Sequence, residues 1–301
     1  MTIQRVESII YGVEDMNGCT RFLNDWGLEQ LEYSDKGASF STPVNQNIFL
    51  RRNDDTSLPP TEEEGSTARL IIWGVDTKEA LEDVASELSK DRDVSWDQEG
   101  RLLSYDDSGF PLGFQVSSPI KVKTETTKLN FHDDINRLNQ HSWPKEKIQP
   151  IRIGHVVFSI RADRNMETAN FYLRRLNFRL TDRSHDGGTF MRCEGSNFHH
   201  NIFLFHRGDN KRFNHIAFEV ENFDHLMAAG TKIVSNGWHT ESGPGRHSLG
   251  SNWFWYFHCP CGGSIEYFAD MDRMDDDWEP RYWDEGPPFA RWMLGEELLK
   301  P

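Results

Sequence analysis

Two histidines and a glutamate each lie in a short run whose apolar and polar residues alternate like those of a β-strand. The runs are IGHVVFSI (153–160) with His155, FNHIAFEVENF (213–223) with His215, and GGSIEYFAD (262–270) with Glu266. Two imidazoles and one carboxylate on neighbouring strands would hold a metal ion from one side and leave its other coordination positions open. This ligand set is typical of non-haem Fe(II) oxygenases, although Zn²⁺ also accepts it.

Further polar residues near these runs have the chemistry of acid–base or substrate-binding groups. The predicted strand NFHHNIFLF opens with His199 and His200. His200 lies fifteen residues before His215, and a hairpin of that length would bring both to one end of the sheet, which favours His200. Strand alternation turns His199, the alternative, the other way. A Gly-, Pro- and Ser-rich segment, predicted to be a loop, carries His247 and leads into an aromatic strand with Tyr256. Histidine titrates near neutral pH and suits proton transfer, and a tyrosine hydroxyl hydrogen-bonds a substrate oxygen. Taken singly, each residue is explained as well by turn formation or core filling.

An internal repeat provides a control for the three candidate ligands. Residues 5–33 share their layout with 152–180, and 68–88 with 214–233, each as a strand, a turn and a helix. Aligning the copies sets Ser8 of the first copy opposite His155, a position at about Leu70 opposite His215, and a position at about Gly113 opposite Glu266. The ligands occur together in one copy and are replaced together in the other. Strand packing alone does not explain this pattern, which favours a functional site in the second copy.

The repeat also defines the domain organisation. We predict an N-terminal module without a metal (1–120), a polar linker (121–150) with a short helix near 132–140, a C-terminal module with the site (151–270) and a C-terminal arm (271–301). Each module combines strands with helices packed on one side, so the fold class is α+β. The aromatic side chains of the arm must pack against something. The alternatives are the outer surface or a neighbouring subunit, and the mouth of the site, where the arm would be a lid.

Composition excludes several classes of partner. The net charge of −15 argues against nucleic acids and anionic membrane surfaces. No apolar run approaches the roughly 18 residues of a membrane span, and no secretory leader pattern opens the chain. Four cysteines are too few for a disulfide scaffold and fit a reducing compartment. We therefore expect a cytoplasmic protein.

Together these motifs make the C-terminal half resemble the type I extradiol ring-cleavage dioxygenases of the vicinal oxygen chelate superfamily. The matching elements are a histidine in the first strand of the second module, the NHIAFEV strand, the GPGRH segment, the WYF strand, and IEYF with its glutamate. The resemblance is strong over 150–280 and extends to the first module through its matching layout.

The resemblance implies two tandem modules of paired βαβββ repeats that form open, barrel-like sheets, with the metal site in the C-terminal module. It implies an enzyme that binds a catechol and O₂ and inserts both oxygen atoms next to the vicinal hydroxyls. Fe(II) is the implied cofactor, with Mn(II) as the alternative, and the three candidate ligands would hold it. By the same resemblance His200 is the acid–base group, while His247 and Tyr256 contact the substrate oxygens. A homo-oligomer is also expected.

One departure from the family pattern concerns the turn before the glutamate, where the family usually has Asp-Pro-x-Gly. Here it is HCPCGG, with Cys259 and Cys261 flanking a proline. A Cys-x-Cys beside a histidine indicates zinc only weakly, because no second cysteine pair accompanies it. We expect Cys259 to replace the aspartate of the turn.

Two other functions are compatible with this fold. One is a glyoxalase-like metal-dependent isomerase or lyase, or a thiol-transfer resistance enzyme, whose site is usually assembled between modules. The other is a metal-free ligand-binding protein, which would contain no stoichiometric iron or manganese. Because all three candidate ligands lie in one module, the sequence favours the dioxygenase.

Overall fold

The computed structural model describes residues 2–124, 128–142, 147–206 and 209–295. Its strands form two mixed sheets, one from each half of the sequence. The first half contributes helices α1 (Met16–Asp25) and α2 (Lys78–Leu88). The strands of its sheet are β1 (Ile3–Val13), β2 (Glu29–Ser34), β3 (Gly37–Ser41), β4 (Asn47–Arg52), β5 (Thr67–Val75), β6 (Ser95–Trp96), β7 (Leu102–Tyr105) and β8 (Pro111–Val116).

The second half has the larger sheet. A 3₁₀ turn (Ala162–Arg164) leads into α3 (Asn165–Asn170), which continues as a π-helical turn (Phe171–Arg175), and α4 (Phe223–Ser235) follows later. The strands are β9 (Arg152–Ile160), β10 (Arg179–Ser184), β11 (Gly188–Arg192), β12 (Ile202–His206), β13 (Arg212–Glu219), β14 (Thr240–His247), β15 (Trp253–His258), β16 (Ser264–Ala269), β17 (Arg281–Trp283) and β18 (Ala290–Met293).

The two sheets share the same central arrangement. The order β4-β1-β5-β8 in the first corresponds to β12-β9-β13-β16 in the second. In both, a parallel, an antiparallel and a second parallel pairing follow one another. The α+β class and the repeat predicted from the sequence are therefore confirmed.

Side-chain caps fix where three helices begin. Asp15, Thr77 and Asn222 accept hydrogen bonds from the backbone N–H groups three residues later, at 2.9, 3.1 and 2.9 Å. Each cap satisfies a donor that the first helical turn leaves unpaired. The helices then bury one apolar face against the sheets.

The two halves pack against one another through a shared core. Trp26, which ends α1, stacks on Tyr267 of β16 with ring centroids 3.5 Å apart, and the Tyr267 hydroxyl donates to the Trp26 carbonyl at 2.6 Å. The buried Gln46 accepts from the Ile153 N–H at 2.8 Å and donates to the Ile153 carbonyl at 3.0 Å. The N-terminal half therefore supports the strand that carries Glu266.

Three local predictions need correction. The helix expected near 132–140 is absent from the described residues 128–142, because the Asn130 side chain accepts the backbone N–H groups of Asn136 and Arg137 and holds a turn instead. The segment predicted as a loop forms strand β14; its register shifts accommodate a proline that cannot donate to the sheet. Strand β12 begins at Ile202, so both histidines predicted to open it precede it.

Within the described ranges, no helix is both long and apolar enough to cross a bilayer.

Candidate metal centre and active site

The three candidate ligands come from adjacent strands in the middle of the second sheet. His155 of β9 pairs with Ala217 of β13, which in turn pairs with Glu266 of β16. His215 lies two residues before Ala217, and alternate residues of a strand share a face. Ala217 carries only a methyl group, so the three larger side chains have room to converge.

The ligand atoms meet at one point. His155 Nε2 lies 3.1 Å from Glu266 Oε2, and His215 Nε2 lies 3.4 Å from the same oxygen. All three ligand atoms lie within 4.8 Å of one another, and all three residues are buried. In the part of the chain that the structure describes, no other three His, Cys, Asp or Glu side chains form such a group.

The electrostatics of this cluster suit a bound cation. Burial lowers the pKa of His155, which keeps its imidazole neutral. Burial raises the pKa of Glu266, but the hydrogen bond with His155 and the nearby imidazoles of His215 and His247 outweigh it and hold that pKa well below its usual range. His215 Nδ1 lies 2.8 Å from Asn214 Oδ1, which places the ring proton on Nδ1. The buried His215 Nε2 makes no hydrogen bond and presents its lone pair to the carboxylate, so these residues fit a divalent transition metal.

Other polar residues surround Glu266. Tyr256 pairs with Glu266 across the β15–β16 hairpin, and its hydroxyl lies 3.0 Å from His247 Nε2. His247 Nδ1 donates to the Phe289 carbonyl at 3.1 Å, so His247 Nε2 accepts a hydrogen bond from the Tyr256 hydroxyl. Burial, with the Glu266 charge second, raises the pKa of Tyr256 well above its ordinary value and keeps the phenol protonated. The buried Asn252 donates to Glu266 Oε1 at 3.3 Å.

His200 lies beside the three candidate ligands, and His199 points away from them. The rings of His200 and His155 have centroids 4.2 Å apart. The fully buried His199 joins His200 through their Nδ1 atoms at 3.0 Å and joins Asp182 Oδ2 through Nε2 at 2.8 Å. Strand β9 separates β12 from β13, so the hairpin suggested by the spacing between His200 and His215 does not form.

A cavity of about 440 Å³ opens onto this cluster. Its polar lining includes His155, His200, His215, His247 and Tyr256. The apolar and aromatic part of its wall consists of Val157, Phe190, Phe203, Phe205, Leu249, Pro287, Pro288 and Phe289. A larger groove of about 1240 Å³ lies between the two halves, but no described histidine lines it. The smaller cavity is therefore the candidate active site.

The C-terminal arm crosses the mouth of this cavity. Its strand β17 pairs with β10 and its strand β18 pairs with β14, at opposite ends of the second sheet. The connection between them contributes residues 286–289 to the cavity wall. The arm nevertheless leaves Tyr282 71 %, Phe289 59 % and Trp292 43 % exposed, so its aromatic residues are only partly covered.

The first sheet has the same register without the ligands. Ser8 pairs with Ile72, and Ile72 pairs with Gly113, in the same row that joins His155, Ala217 and Glu266 in the second sheet. Leu70 lies two residues before Ile72, where the second sheet has His215. The sequence alignment of the two copies therefore matches the observed strand pairing.

The Cys-x-Cys turn has a structural role. Cys259 and Cys261 are free and buried, and the Gly262 N–H donates to the Cys259 carbonyl at 3.0 Å. Gly262 and Gly263 have φ angles of 107° and 65°, which favour glycine. Neither cysteine belongs to a three-residue metal-binding group among the described residues.

Three residues of the site were not identified from the sequence. Asn214, which precedes a ligand histidine, orients its ring. Asn252 bonds the carboxylate of Glu266, and Asp182 bonds His199. An asparagine next to a candidate ligand is a usable signal, since metal-bound histidines usually donate their second nitrogen to an oxygen. The other two residues are distant in sequence from their partners and left no comparable signal.

Comparison with known proteins finds similarity in the part of the chain that carries the candidate site. Residues 152–270 match the model of the Glyoxalase/Bleomycin resistance protein/Dioxygenase superfamily, and this match lies in the C-terminal half of the chain. Metapyrocatechase 2 of Cupriavidus necator is 31% identical over 130 residues, 43% of this chain and 39% of that protein. The manganese-dependent 2,3-dihydroxybiphenyl 1,2-dioxygenase of Geobacillus genomosp. 3 is 24% identical over 261 residues, 79% of each protein. The chain thus matches less than half of the first relative's length.

Solved structures share the fold along nearly the whole chain. The Mn(II)-bound glyoxalase from Novosphingobium aromaticivorans superposes with a TM-score of 0.76 at 19% identity, covering 100% of this chain and 94% of that one. The 2,3-dioxygenase LapB from Pseudomonas sp. KL28 gives a TM-score of 0.74 at 17% identity, covering 94% and 98%. The fold of this chain is therefore the fold of these proteins.

Proposed function

We propose that this protein is a metal-dependent extradiol dioxygenase, which opens a catechol ring next to its two hydroxyls and inserts both atoms of O₂. The observation that carries the proposal is the convergence of His155, His215 and Glu266 on one point beside an aromatic cavity. The same cavity presents His200 and Tyr256, which supply an acid–base group and a hydroxyl group. A relative named as a 2,3-dihydroxybiphenyl dioxygenase supports the same class.

The ligand set favours Fe(II) or Mn(II). Two neutral imidazoles and one carboxylate leave a divalent ion with net positive charge, which attracts an ionised catechol. When bound, the metal supplies a centre that brings the catechol oxygens and O₂ together and activates them. The name of the Geobacillus relative supports manganese, and the ligand set by itself supports iron equally well.

The chain's own residues would bind the substrate and move its proton. His200 has its Nδ1 engaged by His199, so Nε2 is the atom available to take a proton from a substrate hydroxyl. Tyr256 is kept protonated by burial, and His247 holds its hydroxyl in place. The Tyr256 hydroxyl oxygen would then accept a hydrogen bond from a substrate hydroxyl. The arm crossing the cavity limits the access of water.

The cavity wall favours a catechol with a neutral, apolar substituent. Phe190 and Phe203 stack with centroids 3.9 Å apart and line the cavity with Phe289. The described lining residues include the acidic Asp186 and Glu241 but no lysine or arginine. A carboxylate on the substrate would therefore enter without a cationic partner, which is costly in a buried site.

The decisive experiment is anaerobic loading of the full chain with Fe(II) or Mn(II), followed by a panel of catechols. The panel pairs alkyl- and aryl-substituted catechols with carboxylated ones. We expect one metal ion per chain, uptake of one O₂ per catechol, a yellow ring-fission product, and a higher kcat/KM for the uncharged catechols. A fully metallated protein that consumes no O₂ with any catechol would contradict the proposal.

The glyoxalase-like alternative is less well supported. In such enzymes the site is usually assembled between modules, whereas all three candidate ligands here lie on the second sheet. We also propose a cytoplasmic location, supported by four unpaired cysteines. A homo-oligomer is proposed because the arm exposes apolar side chains that a second copy would cover.

A further inference from the structure

A chain of hydrogen bonds leads from the arm to His200. Asp182 of β10 is fully buried, and four N–H groups converge on its carboxylate. Arg281 donates Nε to Oδ1 at 3.0 Å and Nη2 to Oδ2 at 2.8 Å, and Trp283 donates Nε1 to Oδ1 at 2.7 Å. The fourth donor is His199, and His199 in turn contacts His200.

The hydrogen-bond partners of Asp182 and His199 determine which ring nitrogen of His199 carries a proton. Although burial raises the pKa of Asp182, the hydrogen bonds from His199, Arg281 and Trp283 outweigh it and hold the pKa below its usual value. An ionised carboxylate only accepts hydrogen bonds, so His199 Nε2 must carry a proton.

The position of the ring proton on His200 follows from its position on His199. Arg281 already balances the charge of Asp182, so the contact with Asp182 requires only the one proton on His199 Nε2. With that single ring proton, His199 Nδ1 is an acceptor. The contact of 3.0 Å between the two Nδ1 atoms then requires the proton on His200 Nδ1. His200 Nε2 is left with a lone pair.

We propose that Asp182 and His199 are positioning residues that fix the tautomer and ring orientation of His200, and that Arg281 and Trp283 of the C-terminal arm hold Asp182 for this purpose. The inference rests on the proposed function in one respect, because His200 is taken as the group that receives the substrate proton. The hydrogen-bond chain itself does not depend on the reaction. It makes the arm a structural partner of the acid–base histidine as well as part of the cavity wall.

The Asp182→Asn substitution reverses the donor and acceptor roles along this series of hydrogen bonds. Arg281 Nε and Trp283 Nε1 both donate to Oδ1, so the amide oxygen of the new asparagine will take that position. The NH₂ group then replaces Oδ2, where it ends the hydrogen bond from Arg281 Nη2 and meets His199 Nε2, which must become an acceptor. His199 Nδ1 then carries the ring proton and donates a hydrogen bond to His200 Nδ1, and His200 carries its own proton on Nε2. One charge-neutralising substitution thus inverts both tautomers.

The test is ¹⁵N NMR of histidine-labelled full-length protein, metal-free and loaded with diamagnetic Zn²⁺, which accepts the same types of ligand. His199→Gln and His200→Gln variants assign the two rings. The wild-type protein should show His199 protonated at Nε2 and His200 at Nδ1; the Asp182→Asn protein should show the opposite pattern. Asp284→Asn, which removes a charge from an exposed position on the same arm, should match wild type.

The kinetic part of the test uses the iron- or manganese-loaded enzyme. Asp182→Asn should lower kcat roughly 10- to 100-fold, the usual effect of losing an outer partner of a functional histidine, with KM changed much less. A wild-type His200 protonated at Nε2, or an Asp182→Asn protein with unchanged tautomers, would overturn the inference. If no catechol is turned over, the proposed function fails, but the NMR result still decides the tautomers. The wild-type spectrum is sufficient even if Asp182→Asn does not fold.

Discussion

At the scale of single residues, the site depends on which atom of each side chain is left free. Asn214 engages Nδ1 of His215, and this leaves Nε2 for a metal. Phe289 engages Nδ1 of His247, and this leaves Nε2 for Tyr256. In each case an oxygen acceptor outside the cluster sets the tautomer of the histidine inside it.

The first prediction concerns the ligand His215. His215→Ala should lower metal affinity more than about 100-fold, because loss of a direct ligand exceeds the 10–100-fold effect of losing an outer partner. Turnover should be lost with the metal. Metal content after gel filtration, measured by mass spectrometry, checks this directly.

A matched control for this prediction is His206→Gln on the same sheet. His206 is buried and bonds Thr189 at 3.1 Å, but it does not line the cavity. That variant should keep its metal. If His215→Ala also retains a full complement of metal, the ligand assignment is wrong.

The candidate ligands were easier to predict from the sequence than the residues that hydrogen-bond to the site histidines. His155, His215 and Glu266 stood out because a second copy of the same strands lacks them. Asp182 did not, since an aspartate in a strand has no pattern of its own, and its link to His199 exists only after β10 and β12 have folded into one sheet. Contacts of this kind depend on tertiary structure and leave no local signature.

At the scale of elements, strand order positions the ligands. Three consecutive strands, β9, β13 and β16, place the three candidate ligands close together, and β15 adds Tyr256 opposite Glu266. The repeat predicted these strands and their register. It did not predict β14, whose glycines and proline are typical of a loop, or β17 and β18, which have no counterpart in the first copy.

The second prediction concerns the arm. Truncation after Asp272 should leave the metal bound, because it removes no candidate ligand. It should raise KM for the catechol and speed inactivation during turnover, since the wall at 286–289 and the Phe289 partner of His247 are lost. It should also lower kcat, because Asp182 loses Arg281 and Trp283.

These effects are measured by metal analysis, steady-state kinetics and light scattering on the truncated and full-length proteins. The arm exposes Tyr282 and Trp292, so a role in subunit contact is the competing explanation. A change of oligomeric state with unaltered kinetics per site would contradict the prediction and show that the arm is a subunit contact only.

At the scale of the whole molecule, the N-terminal half, which lacks the candidate ligands, packs against the C-terminal half, which contains them. Trp26 of the first half stacks on Tyr267, the residue after Glu266. Two further contacts join the β7–β8 turn of the first half to the helical segment of the second. Ser108 Oγ lies 2.6 Å from Thr168 Oγ1, and the Tyr172 hydroxyl donates to Asp106 Oδ2 at 2.9 Å.

Asp106 makes the packing of the two halves dependent on pH. Burial raises its pKa to about 6, although it accepts the N–H groups of Ser108 and Phe110 as well as the Tyr172 hydroxyl. The folded state therefore binds this proton more tightly than the unfolded state does. Stability falls as pH rises from about 4, the unfolded pKa, to about 6, and this contribution is constant above that range.

The third prediction follows from this loss of stability between pH 4 and pH 6. Asp106→Asn removes the charge and keeps an oxygen for the two backbone N–H groups, while its NH₂ group can donate to the Tyr172 oxygen. Relative to wild type, the variant should gain stability between pH 4 and pH 7, up to roughly 3 kcal/mol from a pKa difference of about two units. Urea unfolding at half-unit pH steps measures the difference, with Asp133→Asn at an exposed position as the control. A stability difference that is the same at pH 4.5 and pH 7.5, or a variant less stable than wild type at pH 7.5, would show that Asp106 does not hold a raised pKa in the folded protein.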